Sequence, residues 1–512
     1  MLGTRGRWLG LATVVACGPS TTPPGDGGGS SSTATSTSDS NDGASQSDGM
    51  ADETGTSTGP QVPPPTVGVR EVRASEADTC VLADDGNVVC WGSRRGGVLG
   101  LAIGSESCRC SEGPLCCQGD DEPVIPIPSL GGPVVELTLG RTHACALLEG
   151  GIARCWGEGR FGALGLGNTN IVGDDEFPSD VPPLDLSNLV AIAASDGDSP
   201  RGFADPRHGH HTCAMLATGE LYCWGDGQLE VLGTGTSDII GDDEPPHAAG
   251  AVELDAEIAE FVVGGAHSCV RLVDGTVRCW GFNDVDGVLG LRLGAEFCHP
   301  GESASCKNLG CCAGLMEPPA TLPAIELGAP AVQLAAGARH TCAVLEGGGV
   351  RCWGNNRFGQ LGYGHTDNLG NVQHPGDAPL VDVGEPVLTI AAGLGHTCAL
   401  LAEGRVRCWG ANNRGQLGYG HTVDIGDDEP PSSAGFVDLG RPAVALALGG
   451  EHTCALLDDG TLRCFGNNGD AQLGHPIDAE CYDEEGRFSC THGESCCIGD
   501  DELPAERAPV PL

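Results

Sequence analysis

A pair of cysteines with nine residues between them, followed by an aromatic residue and a glycine, recurs seven times along this 512-residue chain. The copies are Cys80/Cys90, Cys145/Cys155, Cys213/Cys223, Cys269/Cys279, Cys342/Cys352, Cys398/Cys408 and Cys454/Cys464. Their starts lie 65, 68, 56, 73, 56 and 56 residues apart, so the basic unit is 56 residues and the longer copies carry insertions. A unit of this size cannot bury both its faces alone; neighbouring copies must complete its core. Helical bundles are excluded by the same token, since 83 glycines and only 4% aromatics describe many tight turns. Six of the seven tryptophans are the residue after the second cysteine (Trp91, Trp156, Trp224, Trp280, Trp353, Trp409), with Phe465 in the last copy. One large aromatic per repeat reads as packing between units.

Each copy reads as a β-hairpin. A glycine stands six residues after the first cysteine in every copy: Gly86, Gly151, Gly219, Gly275, Gly348, Gly404 and Gly460. A three-residue loop ending in a left-handed residue joins two antiparallel strands, and glycine enters that conformation without a Cβ clash. Leu457 then faces Thr461 and the two cysteines fall directly opposite, with Cα atoms about 4.5 to 5.5 Å apart, a span a disulfide bridges. Seven cross-strand disulfides are expected.

An apolar strand ending in small residues and His precedes each hairpin (Leu388-Thr-Ile-Ala-Ala-Gly-Leu-Gly-His396), and a glycine-rich turn, then Pro and a further apolar strand, follow it. About four short strands per repeat, seven times over, make an all-β protein, a seven-bladed β-propeller. The strand-like residues 67–75 and the C-terminal residues 507–512, which resemble 123–128 between the first two repeats, lead us to expect that the two chain ends share one blade.

The run G-x-x-H-[ST]-C-A-L-x-x-x-G-x-v-x-C-W-G-x-N-x-x-G-Q-L-G resembles the repeat of the regulator of chromosome condensation family over residues 66–512. The resemblance implies a seven-bladed propeller that presents loops to proteins; members include a guanine nucleotide exchange factor for a small GTPase and a secreted inhibitor of β-lactamases. Fold alone does not choose among such uses.

His143, His211, His267, His340, His396 and His452 share one repeat position, with Asp78 in the first copy. Spread over six blades, they form a ring too wide for one metal ion and read as structural hydrogen bonds beside the central strand. Three repeats carry four-cysteine insertions: Cys108, Cys110, Cys116, Cys117; Cys298, Cys306, Cys311, Cys312; and Cys481, Cys490, Cys496, Cys497. Zinc takes four thiolates, but the adjacent Cys-Cys pairs favour two disulfides per loop, with the pairing open. These stapled loops are the first candidates for a recognition surface. Gly-Asp-Asp-Glu recurs at 119–122, 173–176, 241–244, 426–429 and 499–502. Its carboxylates (Asp120, Asp121, Asp242, Asp243, Asp427, Asp428) offer the oxygen ligands Ca²⁺ takes, yet the spacing is not that of an EF-hand, so a solvated turn is the simpler reading and no cofactor is expected. An insertion before the third hairpin brings Asp196, Asp198, Asp205, His208 and His210 into a polar loop. No phosphate loop, Ser-His-Asp order, HExxH helix or G-x-S-x-G elbow that would support a catalytic claim is present.

The 27 cysteines resolve into seven hairpin pairs, three sets of four, and Cys17. Arg5 and Arg7 precede a short apolar run ending Val14-Val15-Ala16-Cys17, which resembles a bacterial lipobox. The reading is a lipoprotein signal peptide at 1–16, lipid attachment at Cys17, a Gly/Ser/Thr-rich tether over 17–64 with a reach of about 35 to 40 Å, and the propeller over 65–512. Gly18 directs such a protein away from the inner membrane, so the expected location is the envelope of a Gram-negative-type bacterium, as an outer-membrane lipoprotein or at the cell surface or periplasm. With 26 Lys+Arg against 70 Asp+Glu the net charge is -44, which argues against nucleic acid and anionic lipid as partners. The expected function is that of a non-catalytic, lipid-anchored, monomeric propeller binding a protein or a surface glycan through rim loops. One alternative is exchange-factor activity by family analogy, against which the export signal stands. The other is a carbohydrate-active enzyme with its site in the central funnel, for which no carboxylate cluster in the sequence speaks.

Overall fold

The computed structural model describes residues 68–93, 95–101, 117–118, 126–196, 210–283, 286–292, 311–313, 318–475 and 496–512. They form seven antiparallel sheets, blades 1 to 7 in chain order. The inner strands are Val69–Ala74, Val134–Leu139, Leu189–Ala194, Ile258–Val263, Ala331–Ala336, Val387–Ala392 and Ala443–Leu448. Each pairs with a second strand that begins at Asp78 or at the repeated histidine, and that pairs in turn with a third strand carrying the second cysteine.

The hairpins follow the spacing of their glycines. All seven have φ between +71° and +92°, and Leu457 N–H donates to Thr461 O at 2.9 Å. Hydrogen-bonded and non-hydrogen-bonded pairs alternate from there, which puts Cys454 and Cys464 in a non-hydrogen-bonded pair, where strands approach most closely.

All seven expected disulfides form. Cys80 is bonded to Cys90, Cys145 to Cys155, Cys213 to Cys223, Cys269 to Cys279, Cys342 to Cys352, Cys398 to Cys408, and Cys454 to Cys464. In every blade the two partners stand directly opposite in the register of the second and third strands. The span corrects the sequence-based one. The Cα atoms of the pairs closed by Cys90, Cys155, Cys223, Cys279, Cys352, Cys408 and Cys464 lie 4.0 to 4.1 Å apart, below the expected range. A non-hydrogen-bonded pair is already the closest in the ladder, and the bridge draws its two strands closer still. All fourteen of these cysteines are buried in the blades.

The fourth strand differs from expectation. Among the described residues only blades 1, 4 and 7 have one, at Cys117–Gln118, Cys311–Ala313 and Cys497–Ile498. Blades 2, 3, 5 and 6 keep a single bridge at the equivalent place, Gly157 to Val172, Gly225 to Ile240, Gly354 to Leu369 and Gly410 to Ile425. The longer strands thus end the four-cysteine insertions; elsewhere the chain turns away after one residue.

The expected sharing of a blade by the two chain ends is overturned. Among the described residues, the strands of blade 1's sheet come only from 69 to 118 and those of blade 7's sheet only from 443 to 498. The likeness of 507–512 to 123–128 is real but means something else: Val510 N–H bonds Leu462 O in its own blade, as Ile127 N–H bonds Val88 O, both at 2.9 Å. The ring closes by contacts between whole blades. His452 Nε2 meets Thr79 Oγ1 at 2.9 Å, Trp91 Nε1 donates to Gln472 O at 3.0 Å, and Gly450 N–H donates to Ser75 O at 3.1 Å.

Candidate binding face and channel

The joints between blades are built from the repeat itself. In six of them the histidine opening a second strand reaches the hydroxyl of the next blade: His143 to Thr212 (2.7 Å), His211 to Ser268 (3.2 Å), His267 to Thr341 (2.7 Å), His340 to Thr397 (2.9 Å), His396 to Thr453 (2.9 Å) and His452 to Thr79 (2.9 Å). The hydroxyls of Thr79, Thr212, Ser268, Thr397 and Thr453 donate their one hydrogen to a backbone carbonyl of the preceding blade. At those joints the ring Nε2 must therefore be the donor, which fixes the neutral tautomer. Burial holds His340 at about 4 and the other five at about 3. The carbonyls of Gln472, Ala163, Val231 and Gln360 accept a tryptophan indole as well. These histidines and tryptophans are the mortar of the ring, and no metal cluster among the described residues includes such a histidine.

The seven inner strands line a channel of about 450 Å³. An inner strand is a sheet edge, so its channel-side N–H groups need partners. Side chains at the third residue of the preceding blade's inner strand supply them: Glu71 accepts from Leu137 N–H (3.4 Å), Glu136 from Ile192 N–H (3.3 Å), Glu260 from Leu334 N–H (3.1 Å) and Gln333 from Ile390 N–H (2.9 Å). Burial, with Glu71 adding to it against the pull of Arg73, lifts Glu136 to about 8. Sequence reading missed these carboxylates because the register bulge that turns them toward the next blade leaves no mark in residue order. They are tied to the wall, a poor arrangement for a pair of free catalytic acids.

Strand direction decides which loops share a face. The turns between inner and second strands leave at the same end of every blade as the loops between third and outer strands, and the hairpins leave at the opposite end. The three four-cysteine insertions and the segment 197–209 therefore all depart from one face. On it, Phe161 and Phe358 are overhung by Arg160 and Arg357, at 5.7 and 5.5 Å from the ring centres, and Phe358 is 38% exposed. Arg414 pairs with Glu451 (3.4 Å), Arg141 with Glu76 (2.7 Å), and Arg339 with Asp286. His210 lies against Phe161, centroids 5.6 Å apart, and burial raises Asp196 to about 8.

Four of the five acidic triplets, 174–176, 242–244, 427–429 and 500–502, gather their carboxylates within 4.8 Å. Their leading glycines have a structural reason. A Cβ on Gly426 would stand 2.5 Å from Gly359 O of the preceding blade, and one on Gly241 would stand 2.6 Å from Gly162 O. Each acidic turn thus docks backbone to backbone at a joint. A second repeated residue escaped the sequence reading: Arg351 and Arg463, just before the second cysteine, hold the carbonyls of Pro375 (2.8 Å) and Pro504 (2.7 Å) in the connecting segments.

Cys496 and Cys497 are buried and disulfide-bonded, and Cys117, Cys311 and Cys312 lie in outer strands. Cys17, Cys108, Cys110, Cys116, Cys298, Cys306, Cys481, Cys490, Asp120, Asp121, Asp198, Asp205, His208, the segment 1–16 and the tether 17–64 lie outside the described residues.

A closed ring of seven disulfide-stapled blades, elaborated on one face, defines a propeller of the loop-presenting kind. Models of the regulator of chromosome condensation (RCC1) repeat match residues 209–229, 258–286, 331–360, 387–416 and 443–472, and a second such model matches 347–400 and 403–456. The chain is 30% identical over 362 residues to the ultraviolet-B receptor UVR8 of Arabidopsis thaliana, covering 69% of this chain and 70% of that protein. It is 28% identical over 324 residues to the human E3 ubiquitin-protein ligase HERC2, of which the match covers only 6%. The chain belongs to the RCC1 repeat family. Yeast RCC1 (Prp20), solved bound to Kap60, superposes with a TM-score of 0.57 at 16% identity, over 90% of this chain and 91% of that one. Human WBSCR16 gives 0.55 at 16% identity, over 83% and 93%. At such identities these two structures attest to the fold.

Proposed function

We propose that this propeller is a non-catalytic binding module that meets a protein partner outside the cytoplasm, tethered to a membrane through Cys17, and that the insertion-bearing face makes the contact. The observation that carries this reading is the segregation of insertions: three four-cysteine loops and the 197–209 segment all leave one face, while the hairpins of the other stay short. Loops that vary on a rigid scaffold are where binding residues concentrate. Arg-capped phenylalanines such as Phe161 and Phe358 combine two residue types enriched at protein interfaces. Cys17 and the tether, with about 45 residues of flexible coil, fit a domain held clear of a membrane surface.

Crosslinking in intact cells followed by pull-down, repeated with each four-cysteine loop shortened, tests the face. Loss of the captured protein on shortening at least one loop is the expected result, and capture that survives all three deletions overturns the loop assignment. Metabolic labelling with palmitate tests the anchor separately: the wild type takes up label and Cys17→Ala does not, whereas equal labelling removes Cys17 as the site.

A further inference from the structure

Each inner strand carries one unpaired residue near its start. The register slips between Val69 and Glu71 in blade 1 and at the matching step of the other six, which leaves one bulged residue per blade. These residues are Arg70, Val135, Val190, Ala259, Val332, Leu388 and Val444. Inner strands start at the hairpin face, so the seven stand around that mouth of the channel, and Arg70, Val332, Leu388 and Val444 are among those that border the channel itself. All but Arg70 are aliphatic. Val190 and Val444 pack partly on the core, but Val135 is 41% exposed, Val332 47% and Leu388 59%. Single exposed aliphatics need no explanation; the same exposure repeated at one position of the repeat does. Bulges re-aim side chains beside binding sites, and these set an apolar collar around a cavity of about 450 Å³, within the size range of small-molecule sites.

Charge says what the collar takes. The ionisable side chains that border the channel are Arg70, Glu71, Arg73, Glu136, Glu260 and Arg271. Glu71 pairs with Arg73 at 2.7 Å and Glu260 with Arg271 at 2.8 Å. Glu136, at about 8, is uncharged at neutral pH. Arg70 is left as the one uncompensated charge among them. Its Nη2 donates to Val134 O at 2.7 Å, while Nε and Nη1 have no hydrogen-bond partner among the described residues. A guanidinium with free N–H groups is matched by a carboxylate through charge-assisted hydrogen bonds. The layer below the collar, at the third residue of each inner strand, is polar where it is tied to the wall, and it begins only about 3.3 Å deeper. The guest therefore lies across the collar and has a compact body, not a long chain running down the channel.

We propose that the hairpin-face mouth of the channel binds a small aliphatic carboxylate, its acid group on Arg70 and its apolar body against Val332, Leu388 and Val444. Blades 5, 6, 7 and 1 are consecutive around the ring, so these four side chains form one arc of the collar. The site is separate from the insertion-bearing face, and protein binding there does not depend on it.

Isothermal titration of the whole protein with cyclohexanecarboxylate tests the site, against acetate, which lacks the apolar body, and cyclohexylmethylamine, which reverses the charge. Saturable binding of cyclohexanecarboxylate is expected, at least about tenfold tighter than either control. Arg70→Gln should weaken it about tenfold, the effect of losing one charge-assisted hydrogen bond, and Leu388→Ser should weaken it several-fold through lost apolar contact. Val273→Ser removes an aliphatic side chain that is also 59% exposed, but on a hairpin tip, and should leave binding unchanged. All three positions are at the surface of the ring or its mouth, and equal melting temperatures show that the variants are folded. Absence of binding, equal affinity for the controls, wild-type affinity in Arg70→Gln or Leu388→Ser, or a loss in Val273→Ser as large as in Leu388→Ser overturns the proposal.

Discussion

A histidine in this ring serves the fold by being neutral. In the unfolded chain each titrates near 6.5; in the ring the six lie at about 3 to 4 because burial penalises the charged form. Their contribution is fully present above about pH 6.5 and is lost as pH falls toward the folded values. Glu136 has the opposite sign: its folded value of about 8 exceeds the unfolded value near 4.3, so its contribution is present at low pH and is lost as pH rises to about 8. Asp196, also at about 8, and Asp78, raised by burial, act in the same sense. Glu176, Glu429 and Glu502, each raised to about 7, add to these acids, so melting temperature against pH should pass through a maximum and fall on both sides of it, the histidines setting the acid limb and the acids the alkaline limb. Glu136→Gln should leave melting near pH 4 unchanged and raise it increasingly from there to pH 9. The molecule contains the precedent, since Gln333 makes the same bond to Ile390 N–H at 2.9 Å. An equal fall at alkaline pH in wild type and variant would remove Glu136 from the explanation. Phe465 is a second precedent, because Gln416 O there accepts the Thr453 hydroxyl while the ring packs without an indole bond. Trp409→Phe should cost about 1 kcal/mol in chemical denaturation, one buried hydrogen bond, with the Thr397 bond to Gln360 O retained.

At the scale of the element, what the sequence revealed depended on how local the cause was. The hairpins were legible because register, glycine and disulfide all lie within eleven residues, and the repeat displays them seven times. The acidic turns were half legible. Their recurrence was plain, but the reason for the leading glycine was hidden, since Gly426 is pressed against Gly359, a residue on another blade. The channel glutamates were hidden for the same reason, their partners being N–H groups of the next repeat. Two glycine substitutions separate these causes. Gly219→Ala has open space around it and a φ of +92°, so only the left-handed backbone costs, about 1 kcal/mol. Gly426→Ala has the same φ of +92° and in addition meets the Gly359 carbonyl at 2.5 Å, so denaturation should show a loss at least about 2 kcal/mol larger. Equal losses would mean that the acidic turn does not dock as described.

The whole molecule is a ring whose blade count was legible and whose closure was not. Strand-like segments at both chain ends suggested a shared blade, but each end completes its own blade, and the seam between blades 7 and 1 is an ordinary joint made by Thr79, His452 and Trp91. The C-terminal segment still matters, because Val510 bonds Leu462 O and is 5% exposed, and Arg463 holds Pro504 O. Deleting residues 503–512 should lower the melting temperature sharply; an unchanged melt would show the segment to be dispensable. The functional claim rests on the two unlike faces of this ring. A photo-crosslinking amino acid placed at Phe358, on the insertion-bearing face, and in a second variant at Asp274, on a hairpin tip of the opposite face, compares them in intact cells. The account predicts a discrete protein adduct from position 358 and none from position 274, whereas an adduct only from position 274 would contradict it.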